Sequence, residues 1–334
     1  MTPIAGIAIP IFLNVHVSVV IVSIIGAVIG LLFYFIFAWR NIKFSAKVAQ
    51  ASTRIILKYM GVVILMITVL VSIAIILEYC YLVATKNSKE FAAGNVILGI
   101  ALFFSLFWTM FALLYFMRVF ISSFVCLEIL TYSHVSSILM EALSNTFYAL
   151  GSIMFGAMLI AIVQTLRMLV SRDEERSDSI LNSILYFLLS MLEDVIRFAN
   201  EWVFVHIALY GKSYVKTLKT SFQELMSGKG SILVNSLCIM SAINLLSFAC
   251  GLLYLGILYL TIDLAKTMND IKEIMMLIMI MLTLFMFLDN IGMVFDSASK
   301  AFLLCYNRSP EAIKEKFPEA YDALQEQERK NVVF

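Results

Sequence analysis

Charge is scarce in this chain. Only 14% of its 334 residues are charged, against 62% hydrophobic. A soluble globular domain carries about 25% charged and about 45–50% apolar residues, so the surplus apolar surface has to face lipid. Net charge is +1, which gives no basic surface for nucleic acid, and no nucleic-acid partner is expected. Proline is rarer still: Pro3, Pro10, Pro310 and Pro318 all lie outside the long apolar runs, so any break in those runs must rely on glycine. The five cysteines (Cys80, Cys126, Cys238, Cys250 and Cys305) are odd in number, widely spaced and contain no C-x-x-C. His16, His134 and His206 add no ligand spacing. Neither a disulfide framework nor a metal site is expected, and the thiols read as small buried hydrophobes. The chain has no phosphate-binding glycine loop and no nucleophile–base arrangement, which argues against an ATP-driven pump, against most enzymes and for the absence of a cofactor. Met1 to Trp39 holds no basic residue, so it lacks the charged start of a cleavable signal and reads as an uncleaved anchor.

What is present is a series of nearly charge-free runs. A bilayer core needs about 20 apolar residues per helix, and the runs fall at 14–38, 58–84, 94–118, 146–170, 180–208, 231–262 and 273–304. The expected fold is an all-α polytopic membrane protein, a bundle of seven transmembrane helices over 1–308, with short cytoplasmic amphipathic helices and a short cytoplasmic tail over 309–334. Some runs exceed the minimum, which allows tilt without fixing it.

Orientation follows the basic residues. Arg40, Lys43, Lys47, Arg54 and Lys58 follow the first run, and Lys212, Lys216, Lys219 and Lys229 follow the fifth. The segment SRDEERSD at 171–178 is acidic on balance. Basic loops inside place the N-terminus outside and the tail in the cytoplasm. Residues 40–57 and 213–227 are amphipathic candidates at the inner surface. In the second, Ser213 can cap the start, and Val215, Leu218, Phe222 and Leu225 recur at helical spacing. The lysines of that segment would meet anionic membrane lipid.

Small residues four apart, Gly26 with Gly30, Ser152 with Gly156 and Ser247 with Gly251, allow helix backbones to approach closely in lipid. Ionisable groups at membrane depth are costlier, about 2.5–3.5 kcal/mol at a helix centre. Asp289 stands near the middle of the last run beside Asn290, with no partner in its own helix, so it should face a neighbouring helix or water. Asp296 and Lys300 are one turn apart and can pair. Glu193, Arg197 and Glu201 recur every four residues and read as a salt-bridge ladder that neutralises itself. Arg118, Glu128 and Glu141 lie at the ends of apolar runs, where they are expected to snorkel to the interface.

The stretch IALYGKSY at 207–214, GSIMFG at 151–156, AIVQTLR at 161–167 and FLLCYNRSPEAI at 302–313 keep a common order and spacing. Together they resemble elements of the choline transporter-like proteins, nearest the fungal pH nine-sensitive branch. The likeness covers 100–334 and extends more weakly back to about residue 15. The family's V-T/S-x-A/S-G element is similar only to VFISSF at 119–124, without its glycine. Members usually have about ten spans with a large extracellular loop after the first. By that comparison this chain is expected to begin near the fourth, so that its pathway is built from the remaining helices, or with a second copy or partner chain, or the polypeptide is an incomplete product.

The resemblance implies a plasma-membrane carrier that moves choline or a related small organic amine without ATP hydrolysis. A quaternary ammonium has no N–H to donate, so its site needs aromatic faces and a diffuse negative field. The candidate pathway residues are Trp108, Tyr148, Ser152, Gly156, Asn200, Trp202 and Tyr210, with Asp289 as counter-charge. Gly211 is expected to end the fifth helix as a cap with positive φ, and Lys212 to anchor it at the inner surface. Asn200, Glu201 and His206 would then line the cytoplasmic mouth. The alternative for each aromatic is interfacial packing, where Trp and Tyr are enriched. Two other functions compete. Seven spans with an outside N-terminus is receptor topology, but D-R-Y, C-W-x-P and N-P-x-x-Y are missing and no span holds proline. A non-transporting scaffold or lipid-handling protein is the third reading.

Overall fold

A computed structural model describes residues 45–87, 96–131, 135–174, 180–226 and 291–332. The expected spans 14–38 and 231–262, most of 273–304, and Asp289 with them, lie outside the described residues. Ten helices are seen among those residues: α1 (45–58), α2 (Met60–Asn87), α3 (Val96–Leu130), α4 (Val135–Tyr148), α5 (Leu150–Glu174), α6 (Ile180–Tyr210), α7 (Tyr214–Met226), α8 (291–308), α9 (Pro310–Lys316) and α10 (Pro318–Val332). The chain divides into two compact units, and nearly all described residues belong to the one formed by 50–230 with 293–321. Everything below concerns that unit.

Three of these helices have stretches long and apolar enough to cross a membrane: Met60–Leu77, Ile97–Leu130 and Leu150–Ser171. The helix α6 is long too, but its middle and second half carry Glu193, Asp194, Arg197 and Glu201. The third run does not stop at 118. With 35 residues α3 reaches Leu130, about 52 Å at 1.5 Å per residue, because VFISSF continues the helix and Ser122 and Ser123 are buried in it.

The centre of the unit is where α3, α5 and α6 pack on one another, with α7 against α5 and α6. Tyr115 and Val119 of α3, Ile153, Ala157 and Ile160 of α5, and Val203, Phe204 and Ile207 of α6 form its core with Tyr214. Their spacings of three and four place each set on one helix face. In lipid such contacts gain by close packing rather than by leaving water, and Gly156 supplies the closeness. A methyl group there would lie 2.6 Å from Phe204 Cζ and 3.0 Å from Tyr214 Cε2.

The inward face of α7 adds to the sequence reading, and the expectation for Arg118 is corrected. The helix α7 turns Tyr214, Thr217 and Ser221 inward, while Val215 is 68% exposed and Phe222 is exposed as well. The two hydroxyls bond their own backbone, Thr217 Oγ1 to Ser213 O at 2.9 Å and Ser221 Oγ to Thr217 O at 2.9 Å. They therefore enter a close interface without stranded polar groups; of the apolar stripe, Leu218 packs against the core while Val215 and Phe222 stay on the outer side. Arg118, expected to snorkel, is buried, because α3 runs on past it and carries it into the bundle. At the end of α3, Lys316 donates to Glu128 O at 2.6 Å and Thr131 O at 3.0 Å, which satisfies terminal carbonyls of the helix. Lys58 and Tyr59 bind the Glu128 carboxylate at the same end.

Candidate functional site

The inward face of α6 carries polar groups in series. Asn200 is fully buried and uses both ends of its amide. Its Nδ2 donates to Tyr115 OH and to Gly156 O, each at 3.2 Å, and its Oδ1 accepts from the Tyr214 hydroxyl. One side chain thus ties α3, α5, α6 and α7 together at the point where Gly156 lets them meet. Burial, then the nearby Tyr115, pushes the Tyr214 phenol up to about 12, so it stays a neutral donor.

Next to it lies a group of four charges. Arg118 Nη1 donates to Asp296 Oδ2 at 2.9 Å, and its Nη2 is 3.8 Å from Glu201 Oε1. Lys300 Nζ donates to Glu201 Oε2 at 2.6 Å and to the same Asp296 Oδ2 at 2.8 Å. Two cations and two anions sum to zero, which is how buried charge is tolerated. The Lys300 ammonium also sits 5.6 Å from the centroid of the buried Trp202 ring. Among the described residues, Asp296 Oδ1, Arg118 Nε and Trp202 Nε1 are buried without a hydrogen-bond partner.

Further along α6, Glu193 accepts from Gln164 and pairs with Arg167 and Arg197, each at 2.6 Å, and the Arg197 guanidinium lies 5.3 Å from the Phe111 ring centroid. The ladder read from the sequence is therefore split. Glu193 and Arg197 pair as their spacing implies, whereas Glu201 turns to Lys300 and Arg118.

Of the candidate residues, Asn200 and Gly156 are in direct contact, and Trp202 flanks the charged group. Trp108 is half-buried, with Nε1 donating to Met154 O at 2.9 Å, and Ser152 is half-buried on α5. Tyr148, at the end of α4, is 88% exposed and joins neither group. Tyr210 lies at the end of α6 with Lys212 and Arg308 over its ring, 5.4 and 5.2 Å from the centroid. Gly211 has φ 64, its N–H bonds Ile207 O at 2.8 Å, and Lys212 is exposed. Sequence reasoning missed Tyr115, Tyr214, Arg118 and the joining of Lys300 to Glu201. One signal was there to read, since Arg118 is the only charge between Val96 and Leu127. A lone cation inside so long an apolar run has to find a partner in the bundle.

Comparison with known proteins gives the chain a family. A family model described as plasma-membrane choline transporter matches residues 20–311. A CTL-like protein of Dictyostelium discoideum is 29% identical over 184 residues, 54% of this chain and 32% of the relative. Protein PNS1 of Candida albicans is 33% identical over 129 residues, 36% of this chain and 24% of the relative. Protein PNS1 of Gibberella zeae is 33% identical over 125 residues, 34% and 23% respectively. The chain thus aligns with about a quarter to a third of the length of these curated relatives. A match over most of its length places the chain in the choline transporter-like family.

Proposed function

We propose that this protein acts as a membrane transporter that moves choline or a related small organic amine, without ATP hydrolysis, across the plasma membrane, with its C-terminal tail in the cytoplasm. The observation that carries the reading is the inward face of α6. Asn200, Glu201, Trp202 and His206 are buried or nearly so in a bundle whose neighbouring helices α3 and α5 are apolar enough to span a bilayer. Polar and charged groups at such depth are costly, and they mark pathways more often than they stabilise folds. The charged group lies about 33 Å along α3 from its first residue, at 1.5 Å per residue. That is about the thickness of the hydrocarbon core, so with the first residue of α3 at one membrane face the distance supports reading the group as near the opposite mouth of the bundle. Gly211 and the exposed Lys212 follow at the end of α6, and the basic residue there supports reading that mouth as the cytoplasmic one.

A single monovalent cation needs no chemical step to cross. An aromatic face contributes about 0.5–2 kcal/mol per cation–π contact, and carboxylates supply the negative field. Family membership favours transport over the receptor reading, and the amine comes from the family description together with the Trp202, Glu201 and Asp296 arrangement. Counterflow is the test. Vesicles reconstituted with the full chain and preloaded with unlabelled choline should take up labelled choline transiently above equilibrium, and vesicles without protein should not. Equal uptake in the two would contradict the reading.

A further inference from the structure

Lys300 is a cation resting where a cation would be recognised. Its ammonium bonds Glu201 Oε2 at 2.6 Å and Asp296 Oδ2 at 2.8 Å, with the Trp202 ring centroid 5.6 Å away. Two carboxylates and an indole face are the groups that bind an organic ammonium ion, by charge and by the negative face of the ring. Lys300 is 1% exposed, so it draws little help from water. Stability does not account for it, because a buried ion cluster holds a fold no better than well-packed apolar residues of similar volume. The cluster also has acceptor capacity in reserve. Both Arg118 and Lys300 converge on Asp296 Oδ2, while Oδ1 of the same carboxylate is buried and unpartnered among the described residues.

We propose that Glu201, Asp296 and the Trp202 ring form the binding site for a small organic ammonium ion, and that the Lys300 side chain fills this site as a tethered occupant until that ion displaces it. The charge balance makes the two exclusive. Arg118 with either Lys300 or the ligand neutralises the two carboxylates, whereas all three cations together leave one positive charge uncompensated among the described residues of the cluster. An incoming ammonium therefore takes the carboxylates as Lys300 swings away, and departure of the ligand lets the lysine return. The ligand's class rests on the transport reading above; the exchange with Lys300 rests on the geometry of the cluster.

The test uses the full chain in detergent, with tetramethylammonium and methylammonium as separate probes and calorimetric binding as the readout. Lys300→Met removes the occupant and leaves Arg118 to hold both carboxylates. A site freed from a competitor that fills it nine times in ten or more binds about tenfold tighter or better, and that is the expected gain. Lys300→Arg keeps a tethered cation and should bind as weakly as the unaltered protein. A second measurement needs no variant. Reductive methylation of the unaltered protein, read by mass spectrometry, should label Lys300 several-fold faster when tetramethylammonium, which has no N–H to react, is added, with other lysines unchanged. A folded Lys300→Met with no gain in affinity overturns the proposal, and so does Lys300 labelling that ignores the probe, even if choline counterflow is observed. Tighter binding and faster labelling without counterflow would leave this site standing and remove the transport reading instead. Preference between the two probes tells whether the ligand keeps N–H donors for the carboxylates.

Discussion

Arg118 and Asp296, 178 positions apart in the chain, share a buried hydrogen bond of 2.9 Å. It joins α3 to α8 inside the bundle, where neither charge has bulk water to fall back on. Removing one partner of such a pair costs about 3–5 kcal/mol, because the other is left buried and under-compensated. Arg118→Met should therefore lower the thermal unfolding midpoint in detergent markedly. Adding Glu201→Gln restores neutrality through Lys300 and Asp296, and should recover most of the loss. Single and double variants melting together would show that charge balance is not what the cluster maintains.

At Gly156 the relevant quantity is space. A methyl group 2.6 Å from Phe204 Cζ and 3.0 Å from Tyr214 Cε2 cannot be accommodated without movement. Overpacking of this kind costs about 1–3 kcal/mol. Gly156→Ala should melt earlier, and Phe204→Leu in the same chain should relieve it. Gly61→Ala and Gly151→Ala, where nothing lies within 4 Å, are the controls and should not melt earlier. Equal behaviour of all three alanines would refute the account of helix approach.

Gly211 differs in kind, since no neighbour crowds it and the constraint is its φ of 64. A side chain in the left-handed region costs about 1–2 kcal/mol, least for asparagine. Gly211→Ala should loosen the corner between α6 and α7, seen as faster proteolysis at 211–213, and Gly211→Asn should do so less. Alanine and asparagine variants cut at one rate would contradict this.

How far the sequence revealed these features depends on the distance over which it can be read. Apolar length announced α2, α3 and α5, and spacing announced Asp296 with Lys300 and Glu193 with Arg197, because one helical turn is a local fact. The bond from Lys300 to Glu201 spans 99 positions, and no local pattern favours it over a ladder along α6. Arg118 departs from its expected place for a related reason: the charge-free run ends at 118, but buried serines carry α3 onward to Leu130. The inward face of α7 has no apolar signature, because hydroxyls that bond their own backbone pack like small apolar groups, so the stripe with Val215 and Phe222 marks only the outer side. Nothing in the spacing of Tyr148 tells which way α4 turns it, and its ring is exposed.

Tyr214 gives a prediction in pH. Its phenol is raised to about 12 by burial, against about 10 for an unperturbed tyrosine. The folded state thus holds this proton more tightly than the unfolded state. The resulting stabilisation is complete below about pH 10 and is lost as pH rises towards about 12. In an ultraviolet difference titration, unaltered protein minus Tyr214→Phe should show one phenol ionising near 12. A difference centred near 10 would mean that Tyr214 is not held in the Asn200 group.

Uptake of labelled choline into proteoliposomes under an imposed inside-negative potential tests transport most directly. A monovalent cation gains about 2.3 kcal/mol per 100 mV, and about 1.4 kcal/mol is a factor of ten. At about 100 mV the account predicts accumulation approaching about fifty-fold, collapsing when the potential is discharged. Uptake no greater than in liposomes without protein, at any potential, would contradict it.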